Sequence, residues 1–240
     1  MIISLILSLL VQAAPDSSSM VFKPGNSKAS SVAGSRILWT EYVVSEGSPT
    51  DSIIKSVIKL EGVVEQLKGK KGTAKKPLED QMRGVVSAVL DLQTLGQGAM
   101  VTHWNELGKT PKLKKMRDKY MSLFRQLIEE NYMEQARKYI GGKYQITFTS
   151  EDLQSKKPMV KAKIKKTDVD VLVEFDVLKQ KDTWKVQDIR LDTTSLEATY
   201  RSSFNRLIKK KGGLDSGFPE LLKSMEKRLA ELRSGKAESL

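Results

Sequence analysis

The chain has 240 residues and a formal net charge of +12, with one histidine and no cysteine. The lack of cysteine excludes thiolate nucleophiles, disulfides and iron–sulfur ligation, and a single histidine cannot build a multi-histidine metal site. Serine catalysis would have to rest on His103 alone. Hydrophobic residues make up 39% of the chain and charged residues 29%, which is typical of one soluble globular domain with a sizeable core.

The first residues have the pattern of an export signal. Residues 2–11 form an apolar run of the length found in signal peptides, which is too short to span a membrane. Ala13 and Ala14 are small residues placed as at a cleavage site, so we expect residues 1–14 to be a signal peptide and the mature chain to be exported. No Lys or Arg precedes the apolar run, and a buried N-terminal strand or helix is the alternative interpretation.

Residues 15–48 are rich in Ser, Gly and Ala and predict a linker. An apolar island within it, residues 37–44, predicts partial order where that island packs on the domain. We expect one folded domain over residues 49–233 and a flexible tail over residues 234–240.

Helical periodicity dominates the chain from Thr50 to about residue 139. Apolar residues recur every three or four positions, with capping residues and prolines at the starts and glycines at the ends. The predicted helical segments run from Thr50 to Gly69, from Pro77 to the glycines at 96 and 98, from Thr110 through Ile128, and over a separate short helix, Tyr132–Tyr139.

After Gly141-Gly142 the apolar period changes from helical to alternating. Residues 160, 162 and 164 are apolar, for example, whereas residues 161, 163 and 165 are lysines. Four such segments at short spacing predict an antiparallel sheet of at least four strands with one apolar face. Two helices follow, one capped by Thr193-Thr194-Ser195 and one over Leu214–Leu232. The order of elements predicts an α+β fold in which helices wrap one side of the sheet.

No catalytic set accompanies His103. A general base needs an activated partner and a positioned acid, and no motif around a Ser, Asp or Glu supplies them, so a structural role is favoured over an enzymatic one. Basic residues cluster at 68–76, 112–119, 156–166 and 206–211. Such clusters fit anionic headgroups, an acidic partner or plain solubility, and the lack of interleaved aromatic residues disfavours nucleic acid.

Two separated motifs resemble the MlaC family, the toluene-tolerance auxiliary components of ABC transporters. The first runs from His103-Trp104 through Thr110-Pro111 to the segment LFRQLIEENY, residues 123–132. The second is W-x-V-x-D at residues 184–188, followed by Ser195-Leu196 and the Y-R-S-x-F segment at residues 200–204. Their order and spacing agree with the family from about Thr50 to Leu232. Two departures are Thr193, where the family usually has glycine, and Gln187, where an aromatic residue is common.

The resemblance implies a non-enzymatic periplasmic carrier, without cofactor or metal. It would shuttle a phospholipid between an outer-membrane lipoprotein/porin complex and an inner-membrane MCE-protein/ABC-transporter complex, maintaining outer-membrane lipid asymmetry. We expect a monomer that holds acyl chains in an apolar cavity between sheet and helices, with the headgroup near Tyr200 and Arg201. The alternative role for Arg201 is a structural ion pair. From periodicity, we assign the cavity lining to Leu92, Leu95, Met100, Phe124, Leu127, Ile146, Phe148, Val173, Phe175, Val186, Ile189, Leu196 and Phe204.

Two other functions remain open from the sequence. One is a periplasmic adaptor with a solid core, whose basic face binds an acidic partner. The other is an enzyme that uses His103 as its base.

Overall fold

A computed structural model of the chain describes residues 36–67, 69–70, 72–138, 144–166 and 169–234. The predicted signal peptide, most of the Ser-rich segment, the glycine pair at 141–142 and residues 235–240 of the predicted tail lie outside the described residues.

The described residues form a six-stranded sheet as one layer, with its strands in chain order. β1 pairs with β2 in parallel and all other neighbours are antiparallel. The predicted α+β class with an antiparallel sheet is therefore confirmed. The strands are β1 (Arg36–Thr40), β2 (Tyr144–Asp152), β3 (Met159–Lys166), β4 (Val169–Gln180), β5 (Thr183–Leu191) and β6 (Thr194–Ser195).

β1 comes from the apolar island of the Ser-rich segment. Its residues pair in parallel with β2, Leu38 opposite Ile146 and Thr40 opposite Phe148. The backbone N–H of Glu41 continues the pairing by donating to the Phe148 carbonyl at 2.9 Å. The island therefore adds an edge strand beyond the four strands that the alternating pattern predicted.

Alternation gives the sheet one apolar face, which we call the inner face. One row across it consists of Phe148, Ala162, Val173 and Leu191, which are paired in register and at most 4% exposed. The neighbouring row on the opposite face includes the exposed Lys163. Because successive side chains in a strand point to opposite sides, the period-two pattern in the sequence directly sets which residues are buried.

A bulge in β5 lets two of its nearby residues share the inner face. Asp176 pairs with Asp188 and Val177 with Val186, so Gln187 is the extra residue. Val186 and Ile189 are consequently both buried although they are three positions apart. Gln187, one of the two residues that depart from the family pattern, therefore lies at the bulge.

In the described ranges, six α-helices cover the inner face, with short 3₁₀ turns at Gly72–Lys75 and Glu106–Gly108. Their backbones approach the sheet most closely at β5, and α4 packs mainly on α6. The helices are α1 (Pro49–Leu67), α2 (Lys76–Val89), α3 (Leu92–Ala99), α4 (Pro111–Lys138), α5 (Leu196–Lys210) and α6 (Leu214–Ser234).

The predicted second helix is wrong in one respect, because it is two helices. Leu90 is extended and forms a parallel bridge with Val186, and the Asp91 N–H donates to the Val186 carbonyl at 2.8 Å. The Asp91 carboxylate then caps α3 by accepting from the Thr94 N–H at 3.0 Å. Gly96 and Gly98 lie in the last turn of α3, which ends at Ala99.

The separate short helix predicted over Tyr132–Tyr139 is also wrong. α4 runs without interruption to Lys138. Tyr132 and Met133 are buried, as is Ile128 one turn earlier, so the apolar face of α4 continues past the predicted break.

Candidate functional site

The candidate site is the apolar interior between the inner face and the helices. All thirteen residues predicted to line a cavity are buried, none more than 8% exposed, and all belong to one hydrophobic cluster. Six of them lie on the sheet: Ile146, Phe148, Val173, Phe175, Val186 and Ile189. The other seven lie on the helices or directly after α3: Leu92, Leu95, Met100, Phe124, Leu127, Leu196 and Phe204. Burial is what a lining residue and a core residue share, so the lining role stays a prediction.

An aromatic cluster joins α4, α5 and α6 on the helical side of this interior. The Phe124 ring contacts the Tyr200 ring edge-on with a centroid distance of 5.3 Å, and Tyr200 lies 5.6 Å from Phe204. Tyr120 stands at the other end, 5.9 Å from Phe204 and 6.1 Å from Phe218. Such edge contacts fix ring positions, so α5 is held against α4 at the residues of the Y-R-S-x-F motif.

Further inner-face residues were not among the predicted lining. They have the same alternation and the same burial as the predicted ones, so the period-two signal could have found them. They are Val160, Ala162, Ile164, Val171, Val177 and Leu191, all at most 4% exposed.

Asp188, the acidic residue of the W-x-V-x-D motif, joins the sheet to α5. Its carboxylate accepts a hydrogen bond from the Ser195 hydroxyl at 2.6 Å and another from the Glu197 N–H at 3.0 Å. Ser195 in turn caps α5 by accepting from the Ala198 N–H at 3.0 Å. Burial raises the pKa of the Asp188 carboxyl, and the bond from Ser195 opposes that rise. The motif therefore sets where α5 begins.

The turn between β5 and β6 contains the positive φ that a glycine would normally supply, one residue before Thr193. Asp192 has a φ of 51°, a region that Asp tolerates better than most residues. Its backbone N–H donates to the Leu172 carbonyl at 2.9 Å. The turn therefore contains a positive φ although Thr193 stands where the family usually has glycine.

Arg201, predicted near the headgroup, makes internal contacts. Its Nε donates to the Gly98 carbonyl at 3.0 Å and its guanidinium forms an ion pair with Glu197. The structural ion pair that the sequence left open is therefore present, and it ties α5 to the end of α3. A headgroup role for Arg201 remains a prediction.

Tyr200, the other predicted headgroup residue, is partly buried beside α4. Burial raises the pKa of its hydroxyl to about 12, although a hydrogen bond with the Asn131 side chain and the charge of Arg228 oppose the shift. The hydroxyl is thus neutral at physiological pH and able to donate or accept a hydrogen bond.

The buried carboxylates and Thr50 in the described part of the chain have partners, whereas the buried Tyr132 hydroxyl and the Asn205 Oδ1 have none. Thr50 and Asp91 form hydrogen bonds to neighbouring side chains or backbone. Glu130, 6% exposed, accepts from Arg83 at 2.9 Å and lies 3.5 Å from Arg233. Because Thr50, Asp91 and Glu130 are satisfied by protein groups, they leave the interior around the inner face to mostly apolar side chains.

The outer face of the sheet is charged. Arg190 forms ion pairs with Glu174 and Asp176, and Lys161 lies 3.0 Å from Glu174. The Arg190 pairs are partly buried, and together these residues give the outer face a surface of mixed charge.

His103 lies in the turn region after α3 and is partly buried. Its backbone N–H donates to the Met100 carbonyl and its carbonyl accepts from Leu107. Among the described residues, no hydrogen bond or ion pair joins its imidazole to a carboxylate, which the enzymatic interpretation required.

Within the residues that the structure describes, no group of three or more metal-ligating side chains occurs. No helix in the described ranges is long and apolar enough to cross a membrane.

Sheet, helical cover and apolar interior together define an α+β fold that a solved structure shares. A phospholipid-binding protein from Ralstonia solanacearum, solved in complex with a phospholipid, superimposes with a TM-score of 0.58. The two sequences are 20% identical over 76% of this chain and 97% of that chain, so the similarity shows the fold. No curated protein matches the sequence.

Residues 58–227 match the family model described as MlaC protein, so the chain belongs to the MlaC family. The resemblance inferred from the two sequence motifs is thereby confirmed.

Proposed function

We propose that this protein binds a phospholipid, with its acyl chains against the inner face. The observation that carries the proposal is the composition of that face, because all of its buried positions on β2 to β5 are apolar. In a chain with a net charge of +12, an uninterrupted apolar wall under helices is the surface that acyl chains require. Family membership supports the same conclusion, as does a fold shared with a phospholipid-binding protein.

The energetics of a lipid carrier demand an enclosed site. Two acyl chains contain roughly thirty methylenes, and burying each contributes ~0.8 kcal/mol, on the order of 20 kcal/mol in all. Only burial on that scale offsets removal of the lipid from a bilayer. The thirteen predicted lining residues supply aliphatic and aromatic surface from both layers of the fold, which supports this role.

The carrier works in the periplasm and shuttles phospholipid between membrane complexes. The apolar run at residues 2–11 supports export, and membership in the MlaC family supports docking to an outer-membrane complex and to an inner-membrane MCE-protein/ABC-transporter complex. The headgroup sits near Tyr200 and Arg201. The excess positive charge favours anionic headgroups and membrane surfaces over neutral ones.

Organic-solvent extraction of the purified protein tests the proposal directly. After expression in bacteria and washing, mass spectrometry should find phospholipid in a stoichiometric amount. A protein that carries no lipid and takes none up from vesicles would instead support the solid-core adaptor with a basic docking face.

Replacing Ala162 by phenylalanine should lower the amount of co-purified phospholipid at least severalfold. Ala162 is the smallest residue of its row, between Phe148 and Val173, and is 1% exposed. A phenyl ring there fills space that an acyl chain would occupy, and the overpacking should also cost about 1–3 kcal/mol of folding stability. Lipid per protein is measured by mass spectrometry beside a urea unfolding curve.

Ala198→Phe is the matched control, since the same ring is added at an exposed position of α5. It should leave lipid content unchanged. Equal lipid content in wild type and in a folded Ala162→Phe variant would contradict placement of the chains on the inner face.

A further inference from the structure

Tyr132 carries a buried hydroxyl that the fold does not use. The residue is 0% exposed and lies on the inward face of α4, two turns after Phe124 and one turn after Ile128. Among the described residues, no atom is a hydrogen-bond partner of its hydroxyl. Nearly all buried polar groups in folded proteins are satisfied, so this one calls for a physical explanation.

Two other tyrosines nearby show the contrast. The Tyr120 hydroxyl donates to the Gly96 carbonyl at 2.9 Å, and the Tyr200 hydroxyl pairs with the Asn131 side chain. Tyr200 interacts electrostatically with both Tyr120 and Tyr132, so the three phenols belong to one region of the interior. Of these three tyrosines, Tyr132 is the one whose hydroxyl has no hydrogen-bond partner among the described residues.

The chemistry of the missing partner follows from the surroundings. Burial raises the pKa of Tyr132, so its hydroxyl keeps its proton and offers a donor. A neutral acceptor suits this place better than an anionic one, because a buried phosphate would need a paired cation. In a phospholipid, the neutral acceptors next to the acyl chains are the ester carbonyls.

We propose that the Tyr132 hydroxyl donates a hydrogen bond to an ester carbonyl of the bound phospholipid, which makes Tyr132 a specificity residue for ester-linked acyl chains. The inference rests on the proposed function and deepens it. Without lipid, the unpaired hydroxyl destabilises the protein by the desolvation of a buried donor. With lipid, the same group favours one lipid chemistry over another.

A competition between ester and ether lipids tests this inference. Delipidated protein is incubated with vesicles that contain equal amounts of a diacyl phosphatidylglycerol and its dialkyl ether analogue, with the same headgroup and chain length. Mass spectrometry of the re-isolated protein gives the ratio bound. Wild type should retain the ester form about fivefold over the ether form, the discrimination expected of one net hydrogen bond.

Tyr132→Phe should bind the two lipids equally, because it keeps the ring and removes only the donor. The delipidated variant should melt at or above the temperature of delipidated wild type, since the unpaired group is gone.

Tyr120→Phe is the matched control. It also removes one buried phenol, but one that satisfies a carbonyl, so it should lower the melting temperature and keep the wild-type ester preference.

The outcomes separate the two proposals. The specificity role of Tyr132 is overturned if wild type binds lipid without distinguishing ester from ether, or if Tyr132→Phe keeps the ester preference. In both cases the proposal that the protein binds phospholipid still stands. A Tyr132→Phe variant destabilised as much as Tyr120→Phe would show that the hydroxyl has a structural partner, which also overturns the inference. If neither lipid binds wild type, the proposed function itself fails.

Discussion

Replacing Gly217 by alanine should lower the free energy of unfolding by about 3 kcal/mol and the melting temperature by roughly 6–12 °C. Gly217 lies in the first turn of α6, against the C-terminal end of α5. A Cβ atom at this position would lie 2.7 Å from the Ile208 Cα and 2.8 Å from the Ile208 carbonyl carbon. Real Cβ atoms do not approach backbone so closely, and backbone cannot rotate aside as a side chain can.

The clash also falls on a hydrogen-bonded turn. The Ile208 carbonyl accepts from the Gly213 N–H at 3.0 Å and from the Lys211 N–H at 3.3 Å, which closes the end of α5. Gly212 and Gly213 have positive φ values of 93° and 89°, so the reversal between the helices is tight. Moving α6 away to accommodate a methyl group would break this closure and displace α5, which carries Tyr200 and Phe204.

Gly62→Ala is the matched control for Gly217→Ala. Gly62 lies inside α1, and a Cβ there would meet nothing within 4 Å. The substitution should raise stability by about 0.5–1 kcal/mol, because glycine is a poor helix former. Urea unfolding with unchanged m values measures both variants. A Gly217→Ala variant as stable as wild type would show that the two helices are not in close contact in solution.

The inner face could be predicted from the sequence because its signal is local. Alternation along a strand fixes which side chains share a face, and Phe148, Val173 and Val186 are buried as that pattern required. The β5 bulge is harder to predict, since it depends on pairing with β4. The bulge residue Gln187 does lie within the W-x-V-x-D motif, which the sequence singled out on other grounds.

Pairings between distant segments could not be predicted in this way. β1 pairs in parallel with β2, which lies about a hundred residues later in the sequence. The sequence of the apolar island alone does not indicate which strand it pairs with. The division of α2 from α3 has the same origin, because Leu90 extends in order to bridge Val186. A capping pattern, Asp91 with Thr94 three residues later, was present in the sequence and could have indicated the start of α3.

The motif residues also illustrate what a resemblance leaves open. Asp188 and Arg201 belong to the most recognisable stretch of the family, yet both make contacts that position α5. Tyr132, at the end of the other motif, presents an unpaired donor that only a three-dimensional account of hydrogen bonds reveals. Sequence patterns therefore predicted which apolar residues are buried better than they predicted the contacts of the polar groups.

The second large effect is expected at Asp188. Asp188→Ala should lower the free energy of unfolding by about 3 kcal/mol, because it leaves the Ser195 hydroxyl and the Glu197 N–H without their charged acceptor in a nearly buried place. Ser195→Ala should cost less, about 1 kcal/mol, since it removes one helix cap and keeps the carboxylate. Urea unfolding measures all of these variants.

Asp188→Asn separates the hydrogen bonds of this junction from its charge. The amide oxygen can still accept from the Glu197 N–H, so the loss should lie between those of Ser195→Ala and Asp188→Ala. Asp170→Ala, an exposed carboxylate on β4, is the control and should change stability by no more than about 0.5 kcal/mol. If Asp188→Ala behaves like that control, the hydrogen bonds of Asp188 do not hold α5. The start of α5 would then depend on the Ser195 cap and on packing of the aromatic cluster.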